Sequence, residues 1–588
     1  MADLVALLTD RLAPAFAAVR DAACAETGTD PAEVPAPPTV SRSDRADLQA
    51  NGALALAKRL GRNPREVAQA VVDAVDLSDL VDGVEIAGPG FLNLTLRDEA
   101  IAALARTAAA DERLDVAPTP DAGTVVVDYS APNVAKEMHV GHLRSTVIGD
   151  ALVRVLEHLG HEVKRENHTG DWGTPFGMLI EHLVDVGEDE AVAELSVGDL
   201  NRFYQDARKS FDASDEMKER ARERVVLLQS GDPETLRLWQ LLVDQSAAYF
   251  QVVYDRLGVL LTPDDIVGES FYNDDLAGIV DDLRAQGLLV LDDGAECVFP
   301  PGFIGRDGEP QPMIVRNRNG GYGYAATDLA TIRHRVDVTH ASRILYVVGA
   351  PQRDHLEMVF AVARMAGWLP ADTSAEHIPF GNLLGADRKM FKTRSGATVR
   401  LVDLLDEAVE RAAATIAERN PDLVGAERDA VAQAVGIGAI KYADLSSDRV
   451  KDYVLDFDRM LAFEGNTGPY MQYAHARIRS IFRRGEVDPA TLDPTALVLG
   501  EPQERRLAVA LLGFEAVVRQ TAETCQPHRL CGYLFDLAQT FTSFYEACPV
   551  LKADDEATRS SRLVLCDLTA RTLSVGLGLL GIQALERM

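Results

Sequence analysis

The chain has 588 residues, of which 47% are apolar and 26% are charged, a composition typical of a soluble globular protein with about three or four domains. Its net charge of −32 disfavours a protein that covers nucleic acid with a uniformly basic surface. The acidic excess is uneven, because residues 441–588 contain 17 basic and 20 acidic residues. A local RNA-binding face in that last quarter is therefore compatible with the charge.

The cysteines and the apolar segments indicate a reducing compartment and no membrane span. The six cysteines form no C-x-x-C pair, which argues against a zinc knuckle and against a disulfide framework. The N-terminus lacks the basic head and unbroken apolar run of a signal peptide. The most apolar tail segment, residues 573–585, is shorter than the ~20 residues of a membrane-spanning helix. We therefore expect a cytoplasmic protein.

Residues 1–112 are predicted to form a separate α+β domain. A helical pattern opens it, a proline-rich stretch follows, a second helical pattern covers residues 48–60, and Gly88-Pro89-Gly90-Phe91 predicts a turn leading into a strand. Residues 117–123, which contain proline, aspartate and glycine, predict a linker to the next domain.

Residues 120–400 alternate strand and helix patterns and predict a parallel α/β sheet. A β-branched run at 124–129 is followed by an amphipathic helix at 142–159 and a strand near 163–166, which is a right-handed crossover unit. A strand and a helix recur at 343–348 and 355–366. Charged helices at about 183–260 are predicted as an insertion into the sheet. From 401 to 588 the pattern is helical, with no convincing strand.

The segment between the first strand and its helix contains a histidine motif, His139-Val140-Gly141-His142. In an open parallel sheet, ligands bind at the carboxyl ends of strands, where helix N-termini favour phosphate. Gly141 has no Cβ, so an adenine ring can lie against the backbone, and the two imidazoles can donate hydrogen bonds without permanent charge. The motif alone is also compatible with two ordinary surface or capping histidines.

A second cationic element follows the last strand of this region, at residues 387–396. It contains Arg388, Lys389, Lys392 and Arg394 next to a glycine, and it can close over a triphosphate. Attack on the α-phosphorus of ATP builds negative charge, which fixed positive charge and positioning stabilise. A solvated charge run is the alternative interpretation of this segment.

These two elements resemble those of class I aminoacyl-tRNA synthetases, and longer motifs resemble the arginyl-tRNA synthetases in particular. The motifs that carry the resemblance lie at residues 128–133, 142–146, 167–174 and 324–330, with further matches at 88–91, 465–474 and 585–588. The resemblance covers nearly the whole chain. It implies an N-terminal tRNA-contacting domain at 1–112, a Rossmann-like catalytic domain at 120–400 and a helical anticodon-binding domain at 401–588.

The loop that is usually Lys-Met-Ser-Lys-Ser in this class is here Lys389-Met390-Phe391-Lys392-Thr393, with both lysines kept and both serines replaced. Family members that lose the second lysine are expected to compensate with a lysine upstream of the histidine motif, which is Lys136 here. Because Lys392 is present, the role of Lys136 stays open. The residues to which the resemblance assigns catalysis are His139, His142, Lys136, Lys392 and Arg394. Those assigned to ATP are Pro132, Gly141, His142, His355, Lys389 and Lys392.

Arginine specificity requires a carboxylate, because a guanidinium is planar, permanently charged and best held in bidentate geometry. Tyr324 and Asp328 are four residues apart and share one face of a predicted helix, offering a ring for the alkyl stem and a carboxylate for the head. On its own, Asp328 is equally compatible with a surface position. The resemblance implies an arginine site made of Asp128, Asn133, His142, Tyr324, Asp328 and Gln352.

An aromatic and basic stretch near residue 470 is the candidate tRNA surface, formed by Tyr470, Tyr473, Arg477 and Arg484. Aromatic rings stack on unpaired bases and arginines hold phosphates, although an amphipathic core helix with a solvated edge gives the same pattern. The resemblance implies a monomeric arginine–tRNA ligase that uses ATP with Mg²⁺ as substrate complex, L-arginine and tRNA(Arg), with no dedicated metal site. One alternative is a nucleotidyltransferase, which needs neither the helical C-terminal block nor the Tyr324/Asp328 pair. The other is a non-catalytic tRNA-binding paralogue, a kind of protein that tends to lose catalytic groups, whereas His139, His142, Lys392 and Asp328 are all present here.

Overall fold

The computed structural model describes residues 4–43, 45–188, 191, 200–305, 308–385, 387–389 and 399–588. One large hydrophobic core continues from the N-terminal region through the helix after the first parallel strand into the C-terminal helices. Two smaller cores fill the other side of the parallel sheet and the helical insertion.

The N-terminal region surrounds a four-stranded antiparallel sheet with helices. Its elements are α1 (Leu4–Thr27), β1 (Val40–Arg42), β2 (Leu48–Ala50), α2 (Gly52–Leu60), α3 (Pro64–Ala74), β3 (Val81–Ala87), β4 (Phe91–Leu96) and α4 (Asp98–Ala110). The strand order is β1–β2–β4–β3. The helix predicted at 48–60 is wrong in its first residues, because Leu48 pairs with Leu94 in the sheet and the helix begins only at Gly52.

The central region begins with the strand β5. Its elements are β5 (Thr124–Asp128), α5 (Val140–His158), β6 (Glu162–Glu166), α6 (Thr174–Val186), α7 (Leu200–Ala213), α8 (Asp215–Gln229), α9 (Pro233–Leu257), α10 (Leu276–Ala285), β7 (Val290–Asp292), β8 (Ala295–Val298), β9 (Met313–Arg316), α11 (Tyr324–Asp337), β10 (Arg343–Tyr346), α12 (Arg353–Met365), β11 (Ser374–His377) and β12 (Leu383–Leu384).

Four of these strands form a parallel sheet in the order β11–β10–β5–β6, which confirms the three predicted strands near 124, 163 and 343. Residues 125–128 are all buried, as expected for a strand covered on both faces. The strands β7, β8 and β9 form a separate antiparallel sheet. The helices α6 to α9 pack around a core of their own, so they form an insertion between β6 and β10.

The C-terminal region is helical apart from one short strand. Its elements are α13 (Leu401–Arg419), α14 (Gly425–Leu445), β13 (Tyr453–Val454), α15 (Phe457–Met460), α16 (Gly468–Gly485), α17 (Pro502–Leu511), α18 (Phe514–Thr524), α19 (His528–Ala547) and α20 (Glu556–Leu579). The expectation of no strand after residue 400 is wrong at β13, which pairs in parallel with β12. A two-residue strand is too short to produce a periodic pattern.

All six cysteines lie in the described residues and are free, buried thiols. Within the described ranges, every helix is too short or too polar to cross a lipid bilayer.

A buried guanidinium holds the carboxyl ends of two strands together. Asp128 ends β5 and pairs with Glu166, which ends β6, so two carboxylates lie side by side. Arg335 of α11 lies between them, with Nη2 at 2.8 Å from Asp128 Oδ2 and 2.6 Å from Glu166 Oε2. Its guanidinium also lies 4.8 Å from the centre of the Tyr346 ring. This ion triad fixes α11 against the edge of the sheet where ligands bind.

We expect Arg335→Leu to destabilise the central region by about 3–5 kcal/mol, because it leaves two buried carboxylates without their counterion. The three tryptophans, Trp172, Trp239 and Trp368, all lie in this region, so urea unfolding followed by tryptophan fluorescence reports on it.

The matched control for this prediction is Arg208→Leu, which removes an exposed ion pair with Asp212 and is expected to cost less than about 1 kcal/mol. Equal and small losses in both variants would show that the triad does not hold the sheet edge.

Candidate active site

The loop between β5 and α5 has a constrained backbone. Ser130, Ala131 and Ala135 have φ values of 74°, 47° and 59°, a region that side-chain-bearing residues seldom adopt. Each of their backbone N–H groups donates to a side-chain oxygen, those of Ser145, Asn167 and Ser246 respectively. These three hydrogen bonds stabilise the strained backbone conformation. Such strained residues are common at ligand-binding sites.

The two histidines of the motif stack at the first turn of α5. Their ring centres are 4.0 Å apart. His139 Nδ1 accepts from the Gly141 backbone N–H at 3.0 Å, and His142 Nδ1 accepts from the His139 backbone N–H at 3.1 Å. In a neutral ring whose Nδ1 accepts, the proton is on Nε2, so each ring keeps one N–H donor for a ligand. A Cβ on Gly141 would lie 2.7 Å from His139 Cε1, so this packing requires glycine.

Both imidazoles are neutral at physiological pH. Burial, with a contribution from His139, lowers the pKa of His142 to about 3. Burial and the nearby Lys136 ammonium lower the pKa of His139 as well. The pair therefore supplies hydrogen-bond donors without positive charge, and cations at this end of the site must come from other residues.

The chain that follows the late cationic loop returns to the histidine motif. Val140 N donates to Val399 O at 3.1 Å, and Leu401 N donates to Met138 O at 2.9 Å. Lys389 is described and exposed, whereas Lys392 and Arg394 lie outside the described residues. Val399 and Leu401, which follow the loop, are thus hydrogen-bonded to the residues on either side of His139.

Three of the residues predicted to bind arginine, Tyr324, Asp328 and Gln352, lie on α11 and just before α12. Tyr324 is the first residue of α11 and is 75% exposed, and Asp328 lies one turn further on. Asp328 Oδ2 lies 2.6 Å from Nε2 of His355, and this hydrogen bond raises the pKa of His355. His355, predicted near the adenine, is therefore in direct contact with the acidic residue. Gln352 is exposed just before α12.

Asp128 and Pro132 are buried rather than open to solvent. One oxygen of Asp128, Oδ2, is bound to Arg335, while Oδ1 has no hydrogen-bond partner among the described residues.

A cleft of about 850 Å³ lies between the β5–α5 loop and the start of α11, and its lining does not include His139, His142 or Asp328. It brings together three of the predicted residues, Asn133, Lys136 and Tyr324, from the β5–α5 loop and from α11. Its other walls come from the helical insertion and from the loop after β9. The aromatic and basic residues predicted to contact tRNA lie elsewhere, on α16 of the C-terminal region.

The cleft contains a carboxylate that the sequence analysis missed. Glu269 lies in a short 3-10 helix, Glu269–Asp275, and lines the cleft. Burial, together with the negative charges of Asp171 and Asp328, raises its pKa to about 7. Asp171 fixes this segment by accepting hydrogen bonds from the backbone N–H and hydroxyl of Ser270, at 2.9 and 2.6 Å. No local motif marks Glu269, because only the fold brings it near Asp328.

The candidate tRNA residues on α16 divide into exposed and packed groups. Tyr473 is 42% exposed, whereas the Tyr470 ring packs on Phe535 at 5.9 Å between centres. Arg477 lies 5.1 Å from the centre of the Tyr545 ring. Arg484 donates to the Tyr545 hydroxyl at 3.2 Å, so both arginines converge on one aromatic ring.

Comparison with known proteins identifies the family. Three family profiles match in order: the arginyl tRNA synthetase N terminal domain at 8–96, the catalytic domain of tRNA synthetases class I (R) at 105–457, and the DALR anticodon binding domain at 471–588. The chain belongs to the arginyl-tRNA synthetase family. The arginine–tRNA ligase of Thermobifida fusca (strain YX) is 58% identical over 551 residues, 94% of this chain and 95% of that protein. That of Escherichia coli (strain K12) is 51% identical over 542 residues, 92% of this chain and 94% of that protein.

Solved structures of the family share the fold. The arginyl-tRNA synthetase of Plasmodium falciparum superposes with a TM-score of 0.83 at 28% identity, over 97% of this chain and 98% of that one. The arginyl-tRNA synthetase of Thermus thermophilus has a TM-score of 0.79 at 27% identity, with both chains fully covered. The predicted fold class, a parallel-sheet domain between an N-terminal domain and a helical C-terminal domain, is therefore confirmed.

Asp328→Asn is expected to lower the pKa of His355, because the carboxylate that stabilises the protonated ring is lost. NMR titration of histidine side chains measures this shift, with His355→Gln providing the assignment. His142 should show no titration between about pH 5 and pH 8.

Asp337→Asn, which changes an exposed carboxylate at the other end of α11, is the control and should leave the titration of His355 in place. An unchanged His355 in Asp328→Asn would contradict the proposed ion pair.

Proposed function

We propose that this chain activates L-arginine with ATP to arginyl-adenylate and transfers the arginyl group to the 3′ end of tRNA(Arg) for protein synthesis. The observation that carries the proposal is the composition of the two ends of one site. Neutral imidazole donors at a helix N-terminus form one end, and Glu269 and Tyr324, which line the cleft, form the other with Asp328, whose negative charge acts on Glu269. The first end suits a triphosphate and the second suits a guanidinium.

At the phosphate end, an arginine carboxylate oxygen attacks the α-phosphorus of ATP, and the bond from that phosphorus to the bridging oxygen breaks to release diphosphate. In this proposal the Nε2–H groups of His139 and His142 donate to the phosphate oxygens, and Gly141 and Pro132 border the adenosine. Lys136, Lys389, Lys392 and Arg394 supply the positive charge that the neutral histidines do not.

Mg²⁺ is proposed to arrive on the phosphates of ATP. Over the residues that the structure describes, no three His, Cys, Asp or Glu side chains form a group that could hold a metal ion. Mg²⁺ neutralises phosphate charge when it is bound, and it commonly binds through substrate phosphates with few protein ligands.

At the arginine end, Asp328 and Glu269 are proposed to bind the guanidinium while the Tyr324 ring packs on the alkyl stem. His355 holds the Asp328 carboxylate in place. Asn133, Gln352 and His142 are assigned to the α-amino and carboxylate groups. Asp128 contributes Oδ1 to the α-amino group, because its other oxygen is already bound to Arg335.

Transfer completes the reaction. A hydroxyl of the 3′-terminal ribose attacks the carbonyl carbon of the adenylate, and AMP leaves. We assign the N-terminal domain, residues 1–112, and the helical domain, residues 401–588, to tRNA contacts. Exposed Tyr473, with Tyr470, Arg477 and Arg484, is the proposed anticodon-side surface. We further propose a cytoplasmic monomer.

The wild-type chain is expected to charge total tRNA with arginine and with no other standard amino acid. Asp328→Ala should raise the KM for arginine about 30-fold or more, since truncating one member of a desolvated charge pair costs roughly 2–5 kcal/mol. Aminoacylation with radiolabelled amino acids measures both.

Asp337→Ala, on the same helix but away from the cleft, is the control and should charge arginine normally. Full arginine charging by Asp328→Ala would overturn the pocket assignment, and charging with a different amino acid would overturn the proposed function.

Arginine affinity should increase as pH rises from about 6 to 8. The pKa of Glu269 is raised to about 7, so the side chain is largely protonated and neutral below that pH. It becomes a carboxylate, able to bind a guanidinium, above that pH. Steady-state aminoacylation measures KM for arginine against pH.

Glu269→Gln should flatten this pH dependence at a KM near the low-pH value of the wild type. His355 is a second group that titrates in this range. The His355→Gln variant removes it and should retain the part of the pH dependence of KM that is due to Glu269. A pH profile of Glu269→Gln that matches the wild type would remove Glu269 from the arginine site.

A further inference from the structure

One helix of the insertion contacts the residue whose role the sequence leaves open. The Lys136 ammonium lies 4.5 Å from the centre of the Tyr204 ring, which belongs to α7. Both side chains are half-buried and both line the cleft. A lysine over an aromatic face is attracted by the negative potential of the ring, and the attraction strengthens as water is excluded.

The same helix, α7, also binds Glu137, the residue that follows Lys136. Asn201 donates to Glu137 Oε2 at 2.6 Å and accepts from the Glu137 backbone N–H at 3.4 Å. Glu137 Oε1 in turn lies 3.4 Å from Nη1 of Arg400, just after the late loop. The insertion therefore binds two consecutive residues that lie three and two positions before His139.

Lysine needs such a partner because its ammonium is a point charge on a flexible four-carbon stem. The Lys136 charge acts on His139, and both histidines are neutral, so the location of this charge matters for a polyanionic ligand. Tyr204 differs in this respect from its neighbour Phe203, which is fully buried in the core of the insertion. The Tyr204 ring is partly open to the cleft.

We propose that Tyr204 is a positioning residue whose ring holds the Lys136 ammonium at the phosphate end of the cleft, so that the helical insertion sets the affinity for ATP. The inference rests on the proposed function for its substrate. It assigns a task to Lys136, whose role the sequence leaves open because Lys392 is present.

The first experiment compares three variants in arginine aminoacylation with ATP, arginine and tRNA. Tyr204→Leu should raise the KM for ATP about threefold to tenfold, the range expected for a partly desolvated cation–π contact, and should change the KM for arginine less than about twofold. Tyr204→Phe keeps the ring and should recover most of the ATP affinity. Phe211→Leu is the matched control, since Arg208 lies over Phe211 on the same helix without lining the cleft.

The second experiment is a double-mutant cycle with Lys136→Met. If the ring acts through the ammonium, Tyr204→Leu has almost no further effect on ATP affinity once Lys136 is gone. Calorimetric titration with a non-hydrolysable ATP analogue covers variants that are too slow for kinetics. An equal effect of Tyr204→Leu in both backgrounds would overturn the proposal and make the ring a structural support.

A series of phenylalanine analogues at position 204 keeps the size of the ring and so controls for effects of the substitution on folding. Phenylalanine, difluorophenylalanine and pentafluorophenylalanine at position 204 weaken the ring potential stepwise while keeping its size. The KM for ATP should rise along the series, and a flat series would overturn the proposal. A wrong proposed function would give another result, because the wild-type chain itself would then not charge tRNA with arginine.

Discussion

Two carboxylates meet one buried guanidinium where the parallel sheet ends, and the rest of the site depends on this contact. Asp128 and Glu166 close neighbouring strands, and without Arg335 their repulsion would oppose the pairing of β5 and β6. The backbone that leaves β5 leads directly to the histidine motif. The helix that carries Arg335 begins at Tyr324. A single interaction thus links the strand that leads to the histidine motif with the helix that carries Tyr324 and Asp328.

The neutral histidines and the carboxylates Glu269, Asp171 and Asp328 form two parts of the site with different charge. Burial keeps the histidines neutral, so they add hydrogen-bond donors without adding positive charge. In the proposed function, the positive charge for the phosphates comes from side chains such as Lys136, which lines the cleft. Elsewhere along the cleft, burial and the negative charges of Asp171 and Asp328 raise the pKa of Glu269. A net charge of −32 therefore says little about either end.

The sequence predicts those parts of the fold and the site that are marked locally. The β-branched run at 124–129 and the His139-Val140-Gly141-His142 turn lie where they are predicted, because their patterns depend on neighbours in the chain. The helix predicted at 48–60 is too long, since pairing with β4 decides the state of Leu48 and no local signal competes with it. Glu269 is missed for a related reason. Its segment becomes part of the cleft through hydrogen bonds between Ser270 and Asp171, residues far apart in the sequence.

The late loop connects the active site to the helical domain, because its two ends are attached to different parts of the molecule. Its end is hydrogen-bonded beside His139, while its beginning follows β12, which pairs with β13 of the C-terminal region. That region is in turn joined to α5 by a buried ion pair, with Arg144 Nε at 3.2 Å from Asp444 Oδ2, and Arg144 also donates to Lys451 O at 2.9 Å. Both side chains are almost fully buried, so separating them would leave uncompensated charges in the core. A displacement of α14 against α5 therefore also displaces the strand from which the loop departs. The C-terminal helices and the helix that begins at the histidine motif are joined at this point by residues that lie 300 positions apart in the sequence.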